Sequence, residues 1–333
     1  MSLESESPSE LSPQFKAAVL SATGASQLEI DSVIQELWSG YGRILRLRLK
    51  RSPLKTVIAK LISPGDSRDH PRGWNSNLSH QRKLKSYQVE SAWYRGWAQA
   101  CDLTHRVPRL IAFEEHHGQT LLVLEDLDEA GFPERFASLP SPAFEACLDW
   151  LASFHARFLG LKPTGLWERG TYWHLETRSE EWKALDDPHL KEKAEEIDRI
   201  LSSAKHQTIV HGDAKVANFC FSESRDKVAA VDFQYVGGGC GMKDLTYFVG
   251  SCLDESACEQ REGDILNRYF QSLRKALQRH HPETNAAEVE AEWRPLYRVA
   301  WVDFHRFLKG WSPGHWKINS YSERLVRDVL STL

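Results

Sequence analysis

Residues 209–248 read IVHGDAKVANFCFSESRDKVAAVDFQYVGGGCGMKDLTYF, and this stretch decides the fold. One short apolar run in it leads into His211-Gly212-Asp213, and Asn218 follows five residues after that aspartate. A second apolar run leads into Asp232. Short apolar runs predict buried strands, and polar side chains just beyond such rigid elements are typical of a functional cleft.

The three polar residues match the needs of phosphoryl transfer. This reaction uses a carboxylate to orient and deprotonate a hydroxyl, and further oxygen ligands to hold magnesium. Asp213 fits the carboxylate role, and Asn218 and Asp232 fit the metal-ligand role. A single aspartate at a strand end is usually a turn or cap residue, but three in this register favour a kinase-type site.

The same pattern resembles the protein-kinase pair H-R-D-x-x-x-x-N and D-F-G, with Gly212 in place of Arg and Gln234 in place of Gly. The motifs HGD-x-x-x-x-N, VDFQ and DLTYF resemble those of the aminoglycoside phosphotransferase and choline kinase-like superfamily. Through DFQ and DLTYF it is most similar to the ecdysteroid-kinase-like group. The resemblance is specific over residues 209–248 and looser over about 40–250.

This resemblance implies an α+β, two-lobed protein-kinase-like fold that transfers the γ-phosphate of ATP, with Mg²⁺, to a hydroxyl of a small-molecule acceptor. The chain itself is β-rich early and α-rich late, which also predicts an α+β class. We expect a peripheral or disordered N-terminus at 1–24, a nucleotide-binding lobe at 25–126, and a catalytic and acceptor lobe at 127–333.

Two strands are predicted in the N-terminal lobe. Residues 44–50 alternate apolar and basic side chains, and residues 56–62 follow after a Ser-Pro turn. Gly40 and Gly42 precede the first strand, where a glycine turn either closes a plain hairpin or brings backbone N–H groups to phosphates. Lys60 lies on an apolar face of the second strand, so it must meet an anion or reach solvent.

A helix is predicted from Asn77 to about Ala100, with Glu90 on it. The resemblance implies that Lys60 binds the α- and β-phosphates and that Glu90, followed by aromatic residues, orients it. Glu90 can equally be a solvated helix charge. After a predicted strand at 120–124, the resemblance makes Glu125 and Leu127 part of the hinge, whose backbone would bind the adenine edge.

Lys215 lies two residues beyond Asp213, where a cation could neutralise the transferring phosphoryl oxygens or point to solvent. The glycines at 237–241 lack the G-x-x-x-x-G-K-[ST] order, and we interpret them as a flexible loop. The resemblance implies that Asp244 braces the catalytic loop through backbone N–H groups. His155 is interpreted as a core histidine.

Composition excludes several classes of function. The net charge of −4 gives no electrostatic footprint for nucleic acid. No apolar run reaches membrane-spanning length, and the acidic, serine-rich start is not a signal peptide. The six cysteines form no C-x-x-C pair, and the histidines have no H-E-x-x-H spacing, so zinc is not expected. We expect a cytoplasmic enzyme, and the sequence leaves its oligomeric state open.

The acceptor site is predicted least sharply. Trp301, Asp303 and His305 lie on a predicted helix at 287–310, and an aromatic wall beside an acid could hold a cationic amine. A neutral polycyclic acceptor would also want aromatic walls, and the same residues can simply pack the core. Two alternative functions stay open: an ATP-binding pseudokinase without turnover, and a metal-dependent hydrolase that uses Asp213 and Asp232.

Overall fold

The computed structural model describes residues 11–37, 40–64 and 77–333. Contacts divide the chain into two compact units. The first unit runs to Leu84 and includes Pro108–Ala130, and the second comprises Lys85–Val107 and Gly131–Leu333. The first unit is rich in strands and the second is mainly helical, so the predicted α+β class is confirmed. Lys85–Val107 groups with the second unit, although we expected it in the N-terminal lobe.

The described part of the first unit contains one antiparallel sheet in the order β1-β2-β3-β5-β4. The predicted strands at 44–50 and 56–62 are both present, and the apolar positions of the alternating pattern are buried. The strands are β1 (Gln27–Glu36), β2 (Gly42–Lys50), β3 (Thr56–Ile62), β4 (Leu110–His116) and β5 (Gln119–Glu125).

Strand β1 was not predicted from the sequence. This strand lies at the sheet edge, and its side chains are mostly exposed. The register against β2 shifts between Ile30 and Ser32, and again between Val33 and Gln35. These irregularities break the period of two, so the apolar residues of β1 do not form the alternating pattern that identifies a strand.

Helix α1 (Pro13–Thr23) packs into the first unit. The Ser12 side chain accepts a hydrogen bond from Phe15 N, and Gly24 ends the helix at a φ of 64°. Phe15 and Val19 are fully buried in the core of the sheet. Residues 11–24 are therefore part of the core, contrary to the expected peripheral position. The disorder expected for the chain start falls on residues outside the described ranges.

Helix α2 (Asn77–Ala92) is shorter than predicted. It continues as a π-helical turn, Trp93–Trp97, and a 3₁₀ turn, Ala98–Ala100. The wider π turn departs from the α-helical period, and both Trp93 and Tyr94 are buried.

Helices dominate the second unit. The helix predicted at 287–310 is present, and the helix before it begins at Glu255 because Asp254 caps it through Ala257 N. No helix in the described ranges is long and apolar enough to cross a membrane. The helices are α3 (Ser141–Arg157), α4 (Ser179–Ala184), α5 (Pro188–Glu192), α6 (Ala194–Ser202), α7 (Met242–Cys252), α8 (Glu255–His280), α9 (Ala286–Trp311) and α10 (Ser320–Leu330).

Four short strands carry the motif region: β6 (Thr208–Val210), β7 (Phe219–Phe221), β8 (Val228–Ala230) and β9 (Gly237–Gly239). The hairpin β7–β8 and the pair β6–β9 are both antiparallel. The glycines expected to form a flexible loop are thus strand β9.

Those glycines allow a close backbone approach. A Cβ on Gly237 would lie 2.3 Å from Trp167 O, and one on Gly238 would lie 2.6 Å from Glu168 O. Strand β9 is glycine-rich because residues 167–170 pack directly against its backbone. The interpretation of this run as a flexible loop is wrong.

Candidate active site

The loop after β6 is held from behind by α7. Asp244, in the first turn of α7, accepts hydrogen bonds from His211 N (2.6 Å) and Gly212 N (2.9 Å). His155 Nε2 donates to the same carboxylate at 3.1 Å, while its Nδ1 lies 2.8 Å from the Tyr269 hydroxyl. The predicted roles of Asp244 as a brace and of His155 as a core histidine are therefore confirmed.

Gly212 explains one departure from the protein-kinase motif. Its φ is 80°, and a Cβ at this position would lie 2.0 Å from Tyr235 O and 2.7 Å from Thr171 N. The backbone of two other segments closes on this residue, so no side chain fits here. The glycine keeps the aspartate that follows it in a fixed position.

Asp213 is buried, with 6% of its surface exposed. Its Oδ2 accepts hydrogen bonds from Lys215 Nζ (3.0 Å) and Asn218 Nδ2 (3.1 Å). Its Oδ1 is also buried and has no hydrogen-bond partner among the described residues. The structure thus gathers three of the predicted site residues and leaves one carboxylate oxygen available.

The charges in this cluster affect one another. Burial raises the pKa of Asp213 above its usual range; the Lys215 ammonium opposes this shift and the Asp232 carboxylate adds to it. Burial alone would lower the pKa of Lys215, but the Asp213 carboxylate more than offsets it and the pKa is raised. Lys215 therefore stays charged beside Asp213 and does not point freely to solvent.

The hairpin β7–β8 places the two predicted metal ligands side by side. Asn218 directly precedes β7, and Asp232 follows β8 after Val231, whose N–H donates to Asn218 O at 2.9 Å. Asn218 Nδ2 also donates to the backbone oxygen of Asp213 at 2.7 Å. Since the amide nitrogen is used in this way, the amide oxygen is the atom left to bind a cation.

The segment after Asp232 is packed by the aromatic pair that follows Glu90. Phe233 stacks on Trp93 with ring centroids 4.4 Å apart, and Tyr94 meets its edge at 6.0 Å. Burial raises the pKa of Tyr94, and the charges of Glu90 and Asp232 raise it further. Glu90, itself buried, therefore lies in the same region of the second unit as Asp232.

The other predicted nucleotide-binding residues lie in the first unit. Leu37 N donates to Gly42 O at 2.7 Å across the β1–β2 turn, and Gly40 has a φ of 71°. A Cβ on Gly42 would lie 2.0 Å from Leu61 O, so the close packing of β2 on β3 requires glycine. The glycines thus form a hairpin turn. Trp38 and Ser39 lie outside the described residues.

Lys60 is buried in β3, opposite Ile44 and Leu122. Glu125 ends β5, where its carboxylate accepts from Arg109 N at 3.2 Å, and Leu127 is buried just beyond. The pairing of Lys60 with Glu90 and the hinge contacts of Glu125 and Leu127 stay predictions.

The residues proposed for the acceptor wall of α9 are buried in the core. Asp303 accepts from Trp173 Nε1 (3.0 Å) and Arg306 Nη2 (2.8 Å), and Lys243 Nζ lies 3.5 Å away. Burial tends to raise the pKa of Asp303, but the two cations lower it overall. The structure contradicts a cationic-amine site built on Asp303, because Lys243 and Arg306 neutralise its carboxylate inside the core.

Trp301 and His305 share this burial. Trp301 packs against Tyr297 and Tyr321, with centroids 5.9 and 5.1 Å apart. His305 Nε2 lies 3.4 Å from Glu323. Among the interpretations left open for these side chains, core packing fits their positions.

No sequence pattern predicted the cluster of tyrosines near Asp213. Tyr172 lies 5.5 Å from Tyr247 and 5.8 Å from Tyr235, measured between ring centroids. Burial raises the pKa of Tyr172 and of Tyr247, and the Asp213 carboxylate raises both further. These residues are far apart in the sequence, and no local pattern marks them as neighbours.

Comparison with protein families agrees with this geometry. Residues 169–281 match the model of the ecdysteroid kinase-like family, and this range contains Asp213, Asn218 and Asp232. The predicted resemblance to the ecdysteroid-kinase-like group is confirmed over these residues. A search of curated proteins gave no match.

Several solved structures are similar over most of the chain. Choline kinase LicA of Streptococcus pneumoniae has 14% identity and a TM-score of 0.44, covering 96% of this chain and 98% of that protein. An ethanolamine kinase of Plasmodium vivax has 10% identity and a TM-score of 0.49, covering 91% and 82%. An aminoglycoside phosphotransferase of Streptomyces rimosus, solved with ADP and streptomycin, has 13% identity and a TM-score of 0.40, covering 86% and 98%.

Proposed function

We propose that this protein is a small-molecule kinase that transfers the γ-phosphate of ATP to a hydroxyl of its acceptor. The observation that carries the proposal is the state of the Asp213 carboxylate. Oδ2 is fixed by Lys215 and Asn218, whereas Oδ1 is buried and accepts no hydrogen bond from the described residues. A buried acceptor atom without a partner is costly, and an incoming hydroxyl would satisfy it.

In the proposed step the acceptor hydroxyl donates to Asp213 Oδ1. Its oxygen forms a bond to the γ-phosphorus, the bond from that phosphorus to the β–γ bridging oxygen breaks, and ADP leaves. The hydroxyl proton passes to Asp213. Lys215, 3.0 Å from the same carboxylate, is placed to stabilise the negative charge on the phosphoryl oxygens.

The residues around Asp232 suit a magnesium ion. The Asn218 amide oxygen and the Asp232 carboxylate are hard oxygen ligands, and the β7–β8 hairpin sets them next to each other. When bound, Mg²⁺ supplies positive charge that offsets the charge of the phosphates. We assign Asn218 and Asp232 as the ligands and Asp213 as the base.

We assign the nucleotide contacts to the remaining predicted residues. Lys60 would bind the phosphates with Glu90 as its partner, and the turn at Gly40 and Gly42 would cover them. The backbone of Glu125 and Leu127 would bind adenine. Support for these roles is the burial of Lys60 and Glu90, since charged side chains are rarely buried without a partner or a ligand.

An acceptor screen coupled to ADP release tests the proposal. The purified chain is supplied with Mg·ATP and a library of alcohols, and the phosphorylated product is identified by mass. Asp213→Asn should lower kcat by about 10²- to 10⁴-fold while Mg·ATP still binds.

Asp149→Asn is the matched control, because Asp149 pairs with Arg268 on another part of the second unit and kcat should not change. Wild-type kcat in Asp213→Asn would overturn the base assignment. Mg·ATP binding without any product from the library would favour the pseudokinase.

A further inference from the structure

Lys317 lies in the loop between α9 and α10, with its ammonium group among aromatic faces. Its Nζ is 5.2 Å from the ring centroid of Tyr247 and 5.5 Å from those of Phe304 and Trp316. Cation–π contacts of this kind hold a charged group in place while it loses contact with water. Burial lowers the pKa of Lys317 to about 8, although the Asp213 carboxylate opposes the shift.

Lys317 forms no ion pair with the described residues: no carboxylate lies within 4.0 Å of its Nζ, and Asp213 acts on it only from farther away. Four other cations of the second unit each have an acidic partner. Those pairs are Lys215 with Asp213, Arg178 with Glu181, Arg306 with Asp303, and Lys309 with Asp187. A half-buried ammonium without a counter-charge is costly, and an anionic ligand would relieve that cost.

Lys317 faces the same tyrosines as the catalytic carboxylate. Tyr247 contacts the ammonium group and also meets Tyr172, and the charge of Asp213 acts on both phenols. Lys317 and Asp213 therefore border one region of the second unit, lined by Tyr172 and Tyr247.

Aromatic surface continues beyond the ammonium group. Trp316 is 62% exposed, and Trp311 stacks on Phe307 at 5.7 Å. Lys317 also lines a small cavity of about 20 Å³ beside Phe304 and Trp316, which holds only a group close to the size of a water molecule. An acceptor there would place its apolar body on the exposed aromatic faces and a small anionic group at the lysine.

We propose that the acceptor is an alcohol that carries an anionic group on an apolar body, and that Lys317 binds this anionic group. The inference rests on the proposed kinase function, and it names the substrate class of the same site. We propose an anionic acceptor instead of the cationic amine that the sequence suggested. Asp303, the acid that would bind such an amine, is neutralised within the core by Arg306 and Lys243.

Matched probes test the charge preference directly. One set is 4-hydroxyphenylacetate, tyrosol and tyramine; the other is cholate with its side-chain alcohol and amine analogues. Binding is measured by tryptophan fluorescence and calorimetry without nucleotide, and turnover is measured separately by ADP release. We expect the anionic member of a set to bind at least about tenfold more tightly than the neutral and cationic members.

Lys317→Gln should abolish this preference, and Lys317→Arg should largely keep it. Lys275→Gln is the matched control, since Lys275 is an exposed lysine of α8 and its loss should leave the preference unchanged. Melting temperatures of all variants separate a loss of binding from a loss of folding.

Equal binding of all members in both sets, a preference for the amines, or a preference that survives in Lys317→Gln would overturn the inference. Phosphorylation of neutral alcohols with no effect of Lys317→Gln would overturn it while the kinase function stands. Anion binding that depends on Lys317, without any ADP release from either set, would keep Lys317 as the anion-binding residue but contradict the role of the anion as a kinase acceptor.

Discussion

Gly212 and Asp232 both adopt positive φ angles, 80° and 69°, on either side of the candidate active site. Such angles are strained for residues other than glycine, and aspartate tolerates them better than most. Strained backbone clusters at functional sites because the surrounding structure holds it there. Here the hydrogen bonds of Asp244 and the β7–β8 hairpin supply that support.

Gly212→Ala tests the support at Gly212. The new Cβ would meet Tyr235 O and Thr171 N, and we expect a loss of unfolding free energy of roughly 1–3 kcal/mol with a large loss of kcat. Chemical denaturation and ADP release measure the two effects. Gly263→Ala is the control: nothing lies near that position in α8, so it should be neutral or stabilise by about 1 kcal/mol. Unchanged stability in Gly212→Ala would contradict the close approach.

Asp232→Ala should abolish binding of Mg·ATP, because it removes the carboxylate assigned to the metal. Calorimetric titration of Mg·ATP gives the affinity directly. Asp226→Ala, in the exposed turn of the same hairpin, should leave the affinity as it is. Wild-type affinity in Asp232→Ala would exclude the metal-ligand role.

Individual elements show where sequence patterns succeed and fail. Strands β2 and β3 follow their patterns, as one face is buried and apolar residues recur on it. Strand β9 has no side chains to form a pattern, and its position depends on the backbone of residues 167–170. The trio Asp213, Asn218 and Asp232 could be predicted because two short strands and one hairpin, all local in sequence, bring it together.

Helix α7 holds the loop that follows β6 through Asp244. This carboxylate uses both oxygens to accept backbone N–H groups, and His155 donates to one of them. Asp244→Asn replaces one acceptor with a donor, which leaves a buried N–H without a partner and costs about 1–3 kcal/mol.

We expect Asp244→Asn to lower the melting temperature, and to lower kcat more than it raises the KM for ATP, since Asp213 would lose its fixed position. Asp254→Asn, at the exposed N-cap of α8, should be nearly silent because asparagine caps equally well. A drop in melting temperature with unchanged kcat would make Asp244 structural only.

At the scale of the whole molecule, the acceptor region is assembled from distant parts of the chain. Lys317 meets Tyr247 and Phe304, while Asp303 is neutralised by Lys243 and Arg306. No local sequence pattern predicts the contacts of Lys317 or of Asp303, because both depend on how helices α7 and α9 pack. Sequence patterns could therefore predict the family resemblance and the local grouping of Asp213 and Asn218, whereas they left open whether the α9 residues line an acceptor site or pack the core.

The lowered pKa of Lys317, about 8, predicts how anion binding changes with pH. Only the ammonium form attracts an anion, so affinity for the anionic probes should be constant up to pH 7 and fall as pH rises through 8. With a single titrating group, binding at pH 9 should be about tenfold weaker than at pH 7. The charged and titratable groups that act on Lys317 are Asp213, Lys215, Cys252 and Cys258.

Burial raises the pKa of both cysteines, that of Cys258 to about 12. Neither thiol therefore becomes charged below pH 9. The pKa of Lys215 is raised, so this lysine keeps its charge where Lys317 loses its own. Fluorescence titrations of cholate from pH 6 to 10 measure it. Lys317→Gln should bind weakly at every pH, and Lys317→Arg should bind without loss up to pH 10 because guanidinium stays charged. An equal decline in wild type and Lys317→Arg would assign the titration to another group.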